Sequence, residues 1–286
     1  MNYCEHAVTF GCAQETLVGI LAKPNSAALS TGVVVIVGGP QYRAGSHRQF
    51  VLLSRALANA GFPVLRFDYR GMGDGTGDKT DFLQTTSDIG AAIDLLRREQ
   101  PSVNGVALWG LCDAASAALL YCHETHDKRV TGLCLLNPWV RSDASLARAH
   151  VKHYYLDRLK QKEFWLKLIS GKIAGEALAG LWRNVRLMGL KTQGSADATQ
   201  APFQVRMAQA WARFEGSILL LLSANDYTAK EFLEHAAVDQ AWVGLMDKRQ
   251  VIRHEVANAD HTFSNGECRA IAENLTIEWL RSEVNP

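Results

Sequence analysis

The chain has 286 residues, 48% of them hydrophobic and 21% charged, with a formal net charge of +1. That length suffices for one large α/β core, and the near-neutral balance argues against nucleic acid as a partner. No run approaches the roughly 18 apolar residues of a membrane span, and "MNYCEHAVTFGCAQETL" lacks a basic start followed by a long apolar stretch, so a cytoplasmic protein is expected. The six cysteines, at 4, 12, 112, 122, 134 and 268, form no CxxC pair and have no His partner at zinc spacing. Neither disulfides, a metal nor an organic cofactor is expected.

In chain order, the first 25 residues read as an antiparallel hairpin at a sheet edge. "GVVVIVGG" (32–39) predicts a buried strand, and "SHRQFVLLSRALANAG" a helix that Ser46 caps. "PVLRFDY" (63–69) predicts the next strand and "TTSDIGAAIDLLRREQ" (85–100) the next helix. "GVALWGLC" then runs into the helical "DAASAALLYCHE", followed by the strands "VTGLCLLNP" (130–138), "SILLLLSAND" (217–226) and "QVIRHEVANADH" (250–261). "GECRAIAENLTIEWLRSE" closes the chain as an amphipathic helix. Strands alternating with helices, and too apolar to keep one face wet, predict a mainly parallel sheet with helices on both faces.

Residues 141–215 break the rhythm. They contain no clear strand, only helical and aromatic text such as "HYYLDRLKQKEFWLKLISGK". Some 75 residues is too long for an ordinary connection, so 141–215 is expected to be a helical cap inserted into a core of 1–140 and 216–286. Eleven Lys/Arg face four Asp/Glu between Arg141 and Lys191. Solvated helix faces explain this plainly; a cationic lid favouring an anionic substrate is the sharper reading.

The glycine run "RGMGDGTGD" (70–78) does not fit a phosphate loop: G-x-G-x-x-G needs Gly at 76 or 78, where Thr and Asp stand. A loop turned by Gly71 and Gly73 is the better reading. The stretch Gly110-Leu111-Cys112-Asp113-Ala114 carries more. A reactive side chain on a strained strand-to-helix turn needs small residues two positions away on either side, and this is G-x-(nucleophile)-x-A between a strand and a helix. Asp113 as nucleophile would put Leu111 where a small residue belongs, so Cys112 fits better. A helix N-terminus favours a thiolate and a neighbouring imidazolium favours it further, whereas Asp113 opposes it. Buried inertness is the rule for free cysteines, and it is the reading for Cys122 and Cys134.

A thiol nucleophile needs a base, and the base an orienting acid. Asp226 ends the strand "ILLLLSAND", and His261 follows the last strand in "ANADHTFS". Both fall at the carboxyl ends of parallel strands, where such sheets bind ligands. Asp260 is the rival acid. The oxyanion hole is expected to combine the N–H of Asp113 with one from Gly38-Gly39-Pro40-Gln41-Tyr42. Pro40 cannot donate, Gln41 is preferred, and Gly39 and Tyr42 are rivals.

With "VGGPQ", "FDYRGMGDGTG", "GLCDA", "SAND" and "ADHTF", the chain resembles the α/β-hydrolase superfamily over nearly its full length. The resemblance implies that fold, with Asp68 and Arg70 as loop stabilisers. The elbow cysteine is similar to that of dienelactone hydrolases, which use a Cys-Asp-His triad. Residues 38–78 look like the first class of hydrolases associated with the bacterial exosortase A system, encoded beside exopolysaccharide genes. The function so implied is hydrolysis of an ester or thioester of a small-molecule acyl substrate. Acyl transfer by the same triad, and a catalytically silent binding protein, are the alternatives.

Overall fold

A computed structural model of the chain describes residues 2–39, 41–141 and 201–285. Eight strands form one sheet: β1 (Tyr3–Cys12), β2 (Glu15–Pro24), β3 (Thr31–Ile36), β4 (Val64–Asp68), β5 (Gly105–Leu111), β6 (Val130–Leu136), β7 (Ser217–Ser223) and β8 (Val251–Val256). Their order is β1-β2-β4-β3-β5-β6-β7-β8. β2 runs against its neighbours β1 and β4, and every pairing from β4 to β8 is parallel.

Every residue of β3, β4, β5 and β7 is buried, so both faces of the sheet are covered. That is why these strands read as unbroken apolar runs rather than as alternation. The described helices are α1 (Gln49–Asn59), α2 (Thr86–Glu99), α3 (Asp113–Thr125), α4 (Phe203–Arg213), α5 (Tyr227–Val238) and α6 (Gly266–Trp279). α1 packs against α6, while α2, α3 and α4 pack in succession.

The hairpin β1–β2 is tied to the rest by charge. Glu5 accepts from Arg55 of α1 at 2.6 Å and from Arg66 of β4 at 3.0 Å. Burial works against the Glu5 charge, but the two guanidiniums outweigh it and hold its carboxyl below the usual range.

Two expectations change. Ser46 does not cap α1: it lies in a single 3-10 turn, and its N–H donates to Gln41 Oε1 at 3.2 Å. The helix starts three residues later, after Arg48 in the left-handed region (φ 59°), without a side-chain cap. At the far end of the expected cap, α4 packs on α3, with Met207, Ala208 and Trp211 buried and Arg206 paired to Glu124. One compact unit contains it together with the sheet, comprising 1–140 and 202–286. The remainder of the expected cap, residues 142–200, lies outside the described residues.

Candidate active site

The C-terminal ends of β5, β7 and β8 bring three of the expected residues together. β5 ends at Leu111 and α3 begins at Asp113, leaving Cys112 alone to reverse the chain at φ 64°, ψ −124°. A non-glycine residue held there costs on the order of 1–3 kcal/mol and persists only where its surroundings fix it. Here the Cys112 N–H donates to Leu136 O at 2.8 Å, and its carbonyl accepts from Ala115 at 3.1 Å and Trp139 at 3.2 Å. The turn is tight enough that a Cβ on Gly110 would lie 2.5 Å from the Ala114 carbonyl carbon. Glycine is therefore required at 110, whereas alanine is accommodated at 114.

Asp226 stands between β7 and α5, mostly buried, and its carboxylate caps α5 by accepting from the N–H groups of Thr228 and Ala229, each at 3.2 Å. The same carboxylate meets His261 Nδ1 at 2.9 Å. The Cys112 thiol is close enough to the imidazole to act on its titration. These two partners, Asp226 first and Cys112 second, outweigh burial and raise the His261 pKa to about 10. For Asp226, burial pushes the other way, but the His261 hydrogen bond and charge prevail and the carboxyl titrates below its ordinary value. The rival Asp260 is turned away: it accepts from the N–H groups of Thr262 and Ser264 and from the Ser264 hydroxyl.

The loop after β3 meets the elbow at Gly38 and Gly39. The Gly39 N–H donates to Asp113 Oδ2 at 2.8 Å, so that rival donor is engaged. Gln41 is fixed through its side chain, and its own N–H has no acceptor among the described residues. Tyr42 is half exposed, with the Arg43 guanidinium over its ring. Asp68 is fully buried and anchors this loop by accepting from the Arg43 N–H at 2.6 Å and from its guanidinium. Arg70 pairs with buried Asp88, and the glycine loop turns at Gly71 and Gly73.

Two contributors were not visible in the sequence. The Asp113 side chain packs against the bare backbone of Gly38, where a Cβ would lie 2.2 Å from Oδ1. Burial raises its pKa despite hydrogen bonds from the N–H groups of Gly39, Ala114 and Asp113 itself. Asn137, fully buried at φ 45°, ties three segments together. Its amide donates to Ser223 Oγ at 2.9 Å and to the His261 carbonyl at 3.3 Å, and accepts from the Ser223 N–H at 2.8 Å. The one signal in the sequence was an Asn at a strand end before Pro138, a residue type that tolerates the left-handed region.

A family model described as "Alpha/beta hydrolase family" matches residues 33–273. The chain belongs to the alpha/beta hydrolase family. Solved hydrolase-fold structures share the architecture at low identity. The esterase Pf2001 of Pyrococcus furiosus is 15% identical with a TM-score of 0.65, covering 98% of this chain and 92% of that one. An esterase domain from Rhodothermus marinus is 18% identical with a TM-score of 0.60, covering 98% and 100%. The human "Protein ABHD12B" is 39% identical over 87 residues, a match spanning 29% of this chain and 23% of that protein's length.

Asp113 gives a prediction of its own. Asp113→Asn keeps an acceptor for the Gly39 N–H, whereas Asp113→Ala frees the loop. Turnover measured as kcat and KM should be near wild type in the first and about tenfold lower in kcat in the second, with little change in KM, since small misplacements near reacting atoms cost rate. Equal losses in both variants would mean that the charge, not the clamp, matters.

Proposed function

We infer that this alpha/beta hydrolase cleaves an ester or thioester through a Cys112-His261-Asp226 triad and an acyl-enzyme intermediate. The observation that carries the reading is the Cys112 elbow beside an imidazole whose Nδ1 is held by the Asp226 carboxylate at 2.9 Å. With the shared proton on His261, the Cys112 thiolate attacks the acyl carbon and the tetrahedral oxyanion takes hydrogen bonds from the N–H groups of Asp113 and Gln41. As the C–O or C–S bond to the leaving group breaks, His261 gives that group its proton. Water then attacks the thioester, losing a proton to His261, and the acid departs as the Cys112 sulfur is released.

The likeness of residues 38–78 to exosortase-associated hydrolases supports a place in the chemistry of a bacterial exopolysaccharide system, in the cytoplasm. The surplus of Lys/Arg over 141–191 supports an anionic acyl donor.

The test is a panel of aryl esters and acyl-CoA thioesters, with mass spectrometry of the Cys112 peptide after rapid acid quench. An acyl adduct on Cys112 and release of free acid are expected. Diversion of product by added alcohols would assign acyl transfer instead. A thiol that iodoacetamide alkylates no faster than free cysteine, with no turnover, would leave a silent binding protein. In the same panel an anionic donor should lose rate as salt rises while a neutral ester of similar size does not, because screening acts over about 8 Å at physiological ionic strength. Equal salt slopes would assign those charges to a solvated surface.

A further inference from the structure

β8 is the last strand of the sheet, and only its inner edge is paired among the described residues, in parallel register from Ile218↔Val251 to Ser223↔Val256. The carbonyls of Gln250 and Val256 turn inward, accepting from the N–H groups of Ile218 and Ala224. Backbone groups along a strand alternate in direction, so Ile252 and His254 also bond toward β7. Arg253 and Glu255 therefore present N–H and C=O to the outside. Both side chains are exposed, and they share one face of the sheet because they are two residues apart. Neither has an ion-pair partner among the described residues.

This edge is complementary to itself. A two-fold axis through His254 lays a second copy of β8 antiparallel to the first. Arg253 then stands opposite Glu255 of the second copy, and Glu255 opposite Arg253 of the second copy, each as a hydrogen-bonded pair. Shifting the register by two residues sets Arg253 against Arg253, or Glu255 against Glu255, and like charges directly opposite are destabilising. A one-residue shift sets outward-facing backbone groups against inward-facing ones. The charges thus select one register. The other edge, β1, has no such pattern, since its one carboxylate, Glu5, is taken up by Arg55 and Arg66. We propose that the chain forms a two-fold dimer through antiparallel β8–β8 pairing, joining two sheets into one.

Sedimentation velocity of the full chain over a concentration series tests this. The wild type should be a dimer. Arg253→Glu and Glu255→Arg alone each set like charges opposite one another twice, and each should weaken dimerisation by about tenfold or more. The combined exchange, Arg253→Glu with Glu255→Arg, restores both pairs and should return the dissociation constant to near the wild-type value. Circular dichroism melting would verify that each variant is folded, and Arg253→Pro, which removes an outward N–H, should also give monomer. A monomeric wild type overturns the proposal, as do single variants that remain dimeric or a combined exchange that stays monomeric. A wild-type monomer whose Arg253 and Glu255 amides nonetheless exchange slowly would assign the edge to another segment and overturn it equally.

Discussion

Cys112→Ala should abolish turnover and leave the fold intact. The sulfur lies at the elbow, half-buried at the margin of the core, so its loss removes little packing. Alanine keeps the backbone hydrogen bonds that fix the left-handed turn, so the melting temperature should move little. The rate should fall by about four orders of magnitude or more, the scale of losing a nucleophile from a cooperating triad. Cys134→Ala is the matched control. Its thiol is fully buried against Thr276, 3.8 Å from that hydroxyl, and burial raises its pKa, which makes it inert. That variant should lose about 1 kcal/mol of stability through a small cavity and keep its activity. Retained turnover in pure Cys112→Ala would remove Cys112 from the mechanism.

Asp226→Asn should cost about a thousandfold or more in kcat, because an amide favours the wrong imidazole tautomer and no longer balances the imidazolium. Asparagine still caps α5, so the stability lost at neutral pH should be confined to what the paired His261 charge contributes. Proton linkage gives a second readout. The folded-state pKa of His261, about 10, lies above its unfolded value near 6.5. The charged imidazole therefore contributes stability in full below about pH 6.5, and this is lost as the pH rises through about 10. In Asp226→Asn the imidazole titration followed by NMR should move down and the alkaline loss of stability should shrink. Asp260→Asn should leave both rate and titration nearly unchanged, since its carboxylate serves Thr262 and Ser264. A larger effect at 260 than at 226 would reassign the orienting acid.

The order of elements was readable because strands buried on both faces must be continuously apolar, and β3, β4, β5 and β7 obey this. The elbow was readable for a similar reason: close passage of strand and helix admits only small residues at 110 and 114, a constraint written locally. What escaped was set by side-chain contacts outside the repeating pattern, most of them with distant partners. The start of α1 depends on the Gln41 side chain drawing the Ser46 amide out of the helix. The clamp between Asp113 and Gly39 spans 74 residues, and Asn137 acts on segments 86 and 124 residues away. No periodicity or spacing encodes such contacts. Likewise, the amphipathic α4 carries no local mark separating it from the helical text before it.

Gln204 Nε2 donates to the carbonyl of Val140 at 3.1 Å, so the points where the chain leaves the core unit after 140 and rejoins it at 202 are already fastened together. Whatever lies between them closes a loop whose ends the core has fixed, and the entropy of that closure grows only with the logarithm of its length. Segments of quite different size and charge can thus be exchanged there as cassettes. Descendants of one scaffold can diversify at this junction while the positions of Cys112, Asp226 and His261 stay fixed, and the same junction is the natural splice site for grafting.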